Sequence, residues 1–139
     1  MEKTKAFRVA KEKMYDNDAF SQWLGIEIEE IRDGFCRLKM KIREEMTNGF
    51  KIAHGGITYS LADSALAFAS NSHGKMAVSI ETSISHLVQL KSGDEIFATA
   101  TEVSCSNKIG LYNVEVKNAD EKLVALFKGT VYRTSKDWL

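Results

Sequence analysis

The sequence predicts an α+β protein in which one antiparallel β-sheet wraps around a single long helix, with shorter helices at the N-terminus. Alternating apolar and polar residues, the pattern of β-strands, occupy most of residues 26–43 and 78–133. Between them, residues 52–74 contain one formally charged side chain, Asp63, which indicates a segment buried on most sides. We expect a single domain over residues 1–139, because a second core would leave each half near the lower size limit for folding.

The composition argues against several classes of protein. Lys plus Arg and Asp plus Glu both number 19, so the chain lacks the positive field of a nucleic-acid-binding protein. No apolar run reaches the roughly 18 residues of a membrane span, and the start of the chain is charged, so we expect a cytoplasmic location. Two cysteines, Cys36 and Cys105, without paired Cys or His motifs, predict free thiols and no metal site.

Residues 1–24 predict a helical segment. Apolar residues three and four positions apart within residues 4–15 indicate an amphipathic helix. A second, short helix is expected to begin after an N-cap within residues 16–18 and to end at Gly25. The apolar positions of the first helix are Phe7, Ala10 and Met14.

Residues 26–43 predict a β-hairpin. Apolar and polar side chains alternate on both sides of the turn dipeptide Asp33-Gly34. Cys36 lies in the apolar row, and we expect it to be buried and unreactive. The basic residues between the apolar ones predict a solvated outer face, with phosphate contacts as the alternative. These basic residues are Arg37, Lys39, Lys41 and Arg43.

The remaining chain predicts a central helix followed by strands. The helix is expected from about residue 56 to residue 71, and four strands with short turns are expected to form a meander after it. Such a sheet leaves edges and apolar surface uncovered, so we expect at least a dimer. The predicted strands cover residues 78–90, 95–104, 109–117 and 122–133.

Asp63 is the first candidate for chemistry. The helix positions three and four residues away hold no Lys or Arg, so no neighbour on the predicted helix can neutralise the carboxylate. A buried carboxylate without a partner is costly, and it responds with a raised pKa or by facing a water-filled cleft. Either state suits a general base, while a hydrogen bond that only fixes the sheet is the structural alternative.

The start of the predicted helix is the second candidate. His54-Gly55-Gly56 follows Asn48-Gly49, and the first N–H groups of a helix lack partners within the helix and lie at the positive end of its dipole. These donors suit an oxyanion, although a simple tight turn is the alternative. Asp63 lies about 11 Å further along the helix, so one chain cannot easily bring both features to one carbonyl. We therefore expect a site shared between the antiparallel helices of a dimer.

Six segments carry a resemblance when they are taken together. They read NGFKIAHGG at 48–56, SLADSA at 60–65, NSHG at 71–74, GD at 93–94, NKIG at 107–110 and VALFKG at 124–129. This set resembles the hotdog-fold acyl-CoA thioesterases of the phenylacetic acid degradation (PaaI-like) type over about residues 20–134. The resemblance implies a hotdog fold, dimers that pair into tetramers, and hydrolysis of an acyl-CoA with an aromatic or medium-chain acyl group. It implies no metal, and coenzyme A enters only as part of the substrate.

The resemblance also assigns residues. Asp63 matches the catalytic carboxylate, as general base or as nucleophile, and Gly55 matches the glycine whose N–H polarises the thioester carbonyl. Asn48 and His54 match the polar residues beside that glycine, and Gly56 is a further substrate contact at the start of the helix.

Four more positions are expected to bind substrate. Ser79 matches a hydroxyl that helps to place the water, although its alternation pattern equally fits a serine that faces solvent. Lys91, Asn107 and Lys108 match segments along which coenzyme A lies. Residues 88–91 lack the proline that many family members carry there, so the phosphate contacts stay open.

Two other histidines have simpler expected roles. His86 lies in an apolar row, where a core or pocket-lining histidine is expected. His73 lies near the end of the predicted helix, where a contact with the helix dipole explains it.

Two alternative functions also fit the pattern. An enoyl-thioester hydratase or dehydratase needs a second acid–base group near the carboxylate, a role that His54 could fill. A non-catalytic acyl-CoA-binding protein needs no such group, and an unneutralised Asp63 argues against it.

Overall fold

The computed structural model describes residues 3–139, which form one six-stranded antiparallel sheet around a long helix. The sheet order is β1-β2-β4-β5-β6-β3. The helices are α1 (Lys5–Phe7, continuing as a π-helix over Arg8–Met14 and a 3-10 turn over Tyr15–Asn17), α2 (Ala19–Leu24) and α3 (Gly55–Asn71). The strands are β1 (Glu27–Arg32), β2 (Phe35–Lys41), β3 (Lys75–His86), β4 (Glu95–Cys105), β5 (Ile109–Asn118) and β6 (Leu123–Asp137), and a 3-10 turn covers Glu44–Met46.

The N-terminal helices confirm the predicted pair, with one difference in winding. Most of the first segment is a π-helix, whose wider turn buries Val9 together with Ala10. Asp18 caps α2 by accepting a hydrogen bond from the Ser21 N–H at 2.9 Å. Gly25 ends α2 in the left-handed conformation, with φ 75°, which a residue without a side chain adopts at little cost.

The predicted hairpin is also confirmed. Strands β1 and β2 pair across the Asp33-Gly34 turn, and Cys36 is fully buried in the core. The apolar row that contains Cys36 therefore lies on the face of the hairpin that contacts α3, as the alternating pattern predicted.

Helix α3 packs tightly against the inner face of the sheet. Its apolar residues share one core with the inward-facing residues of β2, β4, β5 and β6. At β6 the helix lies so close that a side-chain carbon built on Gly129 would overlap the Leu66 side chain. A glycine at this position lets the helix lie directly on the strand.

The predicted four-strand meander is wrong for its first strand. Strand β3 pairs with β6 at the far edge of the sheet, and only β4, β5 and β6 form a meander. The turn at residues 91–94 does not join hydrogen-bonded neighbours. Its backbone bonds instead to Ile42, the residue that follows β2: the Ile42 N–H donates to Asp94 O at 2.9 Å, and the Gly93 N–H donates to Ile42 O at 2.8 Å. Strand β3 also ends at His86, so Val88 and Leu90 lie in the connection to β4.

Strand β3 leaves an apolar edge. It has one hydrogen-bonded neighbour within residues 3–139, and Val78 and Ile80 are 58% and 59% exposed. Unpaired edges with apolar side chains favour association with another chain. Among the described helices, none combines the length and apolar character needed to cross a membrane.

Candidate active site

The start of α3 presents one unpaired backbone donor. His54 is the N-cap, and its Nδ1 atom accepts a hydrogen bond from the Gly56 N–H at 3.2 Å. The Ile57 N–H donates to the His54 carbonyl at 2.9 Å. Within residues 3–139, the Gly55 N–H has no partner, and Gly55 is exposed at the positive end of the helix dipole. Of the two glycines, only Gly55 thus keeps its donor available.

The loop before α3 holds this donor in place. The His54 N–H donates to Met46 O at 2.9 Å, and the Ala53 N–H donates to Leu90 O at 2.7 Å. Asn48 Oδ1 accepts from the Phe50 N–H at 2.9 Å, which leaves the Asn48 amide nitrogen without a partner in the described part of the chain.

A cleft of about 280 Å³ opens beside this donor. A side-chain carbon built on Gly55 would lie 3.3 Å from His86 Nε2, so the imidazole ring lies directly beside the glycine. The cleft therefore combines a backbone donor, an amide and an imidazole. Its lining includes Asn48, Gly55, Thr58, His86 and Leu90.

Asp63 lies in a second cavity, of about 290 Å³, at the middle of α3. Its carboxylate is half-buried and makes no side-chain hydrogen bond within residues 3–139. Burial raises the pKa of the carboxyl group, because a low-dielectric environment disfavours the charged form. Ser79 lines the same cavity as Asp63.

The two cavities are separate features of one helix. Eight residues separate Gly55 from Asp63, which corresponds to about 12 Å along the axis and about 80° around it. His54 lies about 13 Å along the axis from Asp63, further than direct proton transfer allows. One chain therefore does not bring together the donor, the histidine and the carboxylate.

The remaining predicted site residues are spread over the molecule. His54 and Gly56 line a third cavity, with Phe20. Lys91 lies before the start of β4 and Asn107 and Lys108 follow its end, so about 33 Å of strand separates them. No single chain can place all three against one diphosphate group.

One of the residues at the cavities was not identified from the sequence as a site candidate, and another had a simpler expected role. His86 lines the cleft, as expected for a pocket-lining histidine, but it is exposed and not buried in the core, because β3 ends there. Trp138, which was not identified, lines the Asp63 cavity, and its indole N–H donates to Asn71 Oδ1 at 2.8 Å. No signal in the sequence links a residue at position 138 to the centre of α3.

Comparison with known proteins gives a consistent result. Residues 50–125 match the profile of the thioesterase superfamily. The acyl-coenzyme A thioesterase PaaI of Escherichia coli K12 is 40% identical over 120 residues, 86% of this chain and 86% of that protein. Human acyl-coenzyme A thioesterase 13 is 29% identical over 88% of this chain and 90% of its own length.

Solved structures show the same relationship. The structure of E. coli PaaI matches with a TM-score of 0.93 and 38% identity, over 96% of each chain. A Streptococcus pneumoniae thioesterase protein solved with coenzyme A matches with a TM-score of 0.84 and 26% identity, over 90% of this chain and 98% of that one. The chain therefore belongs to the thioesterase superfamily and, within it, to the hotdog thioesterases related to PaaI.

Proposed function

We propose that this thioesterase hydrolyses acyl-CoA at a site that two chains build together. The observation that carries the proposal is the division of the catalytic groups along α3. An unpaired Gly55 N–H lies at one cavity and an unpaired Asp63 carboxylate lies at another, about 12 Å apart along the helix. Antiparallel packing of two α3 helices would bring the carboxylate of one protomer to the glycine of its partner.

The chemistry follows from these two groups. The Gly55 N–H and the helix dipole stabilise the negative charge that develops on the thioester carbonyl oxygen. Asp63 accepts a proton from a water molecule, whose oxygen attacks the carbonyl carbon. The carbon–sulfur bond then breaks, and the coenzyme A thiolate leaves and takes up a proton. Direct attack by Asp63, through an anhydride that water then cleaves, uses the same geometry.

The raised pKa of Asp63 suits the general-base role. A base whose pKa is closer to the working pH accepts a proton from water more readily than an ordinary, fully solvated carboxylate does. Ser79 lines the cavity of Asp63, and in this proposal its hydroxyl helps to hold the water.

Strand β3 is the proposed contact between protomers. Its outer edge offers unpaired backbone groups, and Val78 and Ile80 offer apolar surface beside them. Two copies related by a two-fold axis would extend the sheet across this edge, and two such dimers would form the tetramer that the resemblance implies.

The proposed dimer also changes the arrangement of the coenzyme A contacts. Lys91 lies at one end of β4 and Asn107 and Lys108 lie at the other, so their joint contact with one coenzyme A requires residues from two protomers. Asn48 and His54 flank the thioester in this arrangement, and Gly56, whose N–H is bonded to His54, contributes the shape of the turn. We further propose one domain over residues 1–139, a cytoplasmic location and no cofactor besides the coenzyme A of the substrate.

A panel of acyl-CoA substrates tests this function. Thiol release is expected with acyl-CoAs, and its rates with phenylacetyl-CoA-type and medium-chain members will identify the acyl group. Crotonyl-CoA serves as the control for the hydratase alternative. Loss of enoyl absorbance without thiol release would replace hydrolysis by hydration, and tight acyl-CoA binding without turnover would leave only a binding protein.

A further inference from the structure

A second cluster of reactive side chains lies at the opposite end of α3. His73 follows the helix in the turn before β3, while Glu102 and Cys105 lie near the end of β4. One imidazole nitrogen, one carboxylate oxygen and the thiol sulfur all lie within 4.8 Å of one another. Asn71, the last residue of α3, lies about 12 Å along the helix axis from Asp63, and His73 follows it, so this cluster is separate from the proposed active site.

A β-bulge in β4 creates the cluster. Residues three apart on a regular strand face opposite sides of a sheet, but the register of β4 against β5 shifts between Glu102 and Ser104. Glu102 is therefore opposite Tyr112 and Cys105 is opposite Gly110, two positions on the same inward face of β5. Without the extra residue, Val103, the thiol would point away from the carboxylate.

Neighbouring groups hold the carboxylate in one orientation. Glu102 Oε1 lies 2.6 Å from His73 Nε2 and accepts a hydrogen bond from the Tyr112 hydroxyl at 2.8 Å. Burial would raise the pKa of Glu102, but the hydrogen bonds from His73 and Tyr112, together with the charge of His73 and a hydrogen bond from Cys105, hold the pKa below its usual range. The carboxylate is thus ionised and acts only as an acceptor, so His73 Nε2 carries the proton in this contact.

We propose that His73, Glu102 and Cys105 bind a divalent zinc ion. Nitrogen, sulfur and oxygen donors are the set that Zn²⁺ takes from proteins, and three protein ligands leave a fourth position for water. Tetrahedral Zn²⁺, with bonds of about 2.0–2.3 Å, holds its ligand atoms about 3.3–3.6 Å apart. The present separations, from 2.6 Å up to at most 4.8 Å, reach that range through side-chain movements of about 1 Å.

Binding requires a defined movement of protons. Zn²⁺ takes the neutral imidazole of His73 through Nε2, with the ring proton on Nδ1, and Cys105 releases its thiol proton to solvent, so Zn²⁺ binding releases protons. Burial and the neighbouring Glu102 carboxylate raise the pKa of the Cys105 thiol, and the charge of Arg133 partly opposes this shift. Arg133 also repels a dication, but the two anionic ligands, Glu102 and the Cys105 thiolate, outnumber its single charge.

The arrangement has a structural consequence. A zinc ion here would tie the turn after α3 to the end of β4, two segments that are far apart in the sequence. Because the ligands converge only in the folded chain, zinc should stabilise the fold as its concentration rises above the dissociation constant.

Metal titration of the chelator-treated full-length protein tests the proposal. With Co²⁺, we expect a thiolate-to-metal charge-transfer band, and with Zn²⁺ we expect a rise in Tm and release of protons. Cys105→Ser should abolish the band and the rise in Tm. His73→Gln should lower the affinity for Zn²⁺ by at least about tenfold, because even the loss of a residue that only hydrogen-bonds to a ligand lowers metal affinity roughly 10- to 100-fold. Cys36→Ala is the matched control, because Cys36 is fully buried elsewhere and its loss should leave the band intact.

Two results would overturn the zinc site. One is the absence of both the charge-transfer band and the change in Tm at millimolar metal. The other is a band that persists unchanged in Cys105→Ser, a conservative change at an exposed position that should not affect folding. Neither result depends on thioesterase activity, so the test is independent of the proposed function.

Discussion

The two cavities along α3 differ in what they offer a reacting thioester. The cleft at the start of the helix provides hydrogen-bond donors, above all the Gly55 N–H, but the described residues around it include no carboxylate. The cavity at the middle of the helix provides the Asp63 carboxylate, with apolar walls from Leu66 and Trp138 that raise its pKa through burial.

Under the proposed mechanism, this difference makes one chain insufficient for the reaction. Stabilising an oxyanion requires donors, and activating water requires a base, and both must reach the same carbonyl group. About 12 Å of rigid helix keeps Gly55 and Asp63 apart within a chain, whatever the side-chain rotamers. Association of two chains is therefore part of the proposed catalytic mechanism.

Removing the base at the middle of α3 should have the largest effect. Asp63→Asn keeps the size of the side chain but cannot accept a proton from water, so kcat should fall by about 10²–10⁴. Folding and oligomeric state should not change, and the KM for acyl-CoA should change little. Steady-state thiol release with circular dichroism and gel filtration measures all three, and full activity in this variant would eliminate Asp63 from the mechanism.

Removing the donor at the start of α3 should have the next largest effect. Gly55→Pro deletes the backbone N–H at the first position of the helix, where proline is tolerated, and His54 already has the φ of −60° and ψ of 138° that suit a residue before proline. Loss of one oxyanion donor should lower kcat by about 10²–10³.

Gly55→Ala is the matched control for the proline variant. It places a side-chain carbon at the same 3.3 Å from His86 Nε2 but retains the N–H, so its kcat should fall much less. Equal losses in the two variants would show that the space beside His86, and not the donor, matters at this cleft.

A substitution of the N-cap residue His54 should change the free energy of unfolding more than a substitution of Asp63 in the middle of α3. His54→Ala removes the acceptor for the Gly56 N–H and should lower the free energy of unfolding by about 0.5–2 kcal/mol. His54→Asn supplies another capping acceptor and should retain most of the stability. Urea unfolding compares the three proteins, and an alanine variant as stable as the wild type would show that the cap contributes nothing.

The smallest expected effect is on the free energy of unfolding, which the half-buried, ionised Asp63 lowers. Because burial raises the folded-state pKa of this carboxyl, its ionised form destabilises the fold at pH values above the folded-state pKa. The cost disappears as the pH falls below the unfolded-state pKa of about 3.9. Asp63→Asn should therefore be slightly more stable than the wild type at pH 7, and the difference should narrow towards acidic pH in urea unfolding. A constant difference across this range would show that desolvation is not its cause.

Most of the elements could be predicted from the sequence because each depends on a local pattern. The uncharged run around Asp63 predicted α3 almost to its ends, and the period of two predicted the hairpin and the strands that became β4, β5 and β6. The position of β3 could not be predicted in this way, since periodicity identifies a strand but not its neighbours. In the structure, β4 pairs with β2 and β3 pairs with β6, and the backbone bonds between Ile42 and residues 93–94 belong to the first of these contacts.

The two main candidate residues and their separation could be predicted from the sequence, but the side chains that surround them could not. Asp63 and Gly55 stand out from their neighbours in the sequence, and the spacing along a helix already separated them. Ser79, in contrast, reaches the Asp63 cavity beside an irregularity in β3 between residues 79 and 81, which alternation cannot reveal. The bulge at Val103 likewise brings Cys105 to His73, a cluster that no sequence motif indicated.

Mixing the two inactive variants tests the shared site most directly. Dimers formed from Asp63→Asn and Gly55→Pro chains contain one site with both defects and one intact site, in which Asp63 of the second chain meets Gly55 of the first. Random association after joint refolding should therefore restore about a quarter of wild-type activity, by two-fold symmetry. A mixture of Asp63→Asn and Asp63→Ala chains, in which no site is complete, gives the baseline. Activity that stays at this baseline would contradict a site built by two chains.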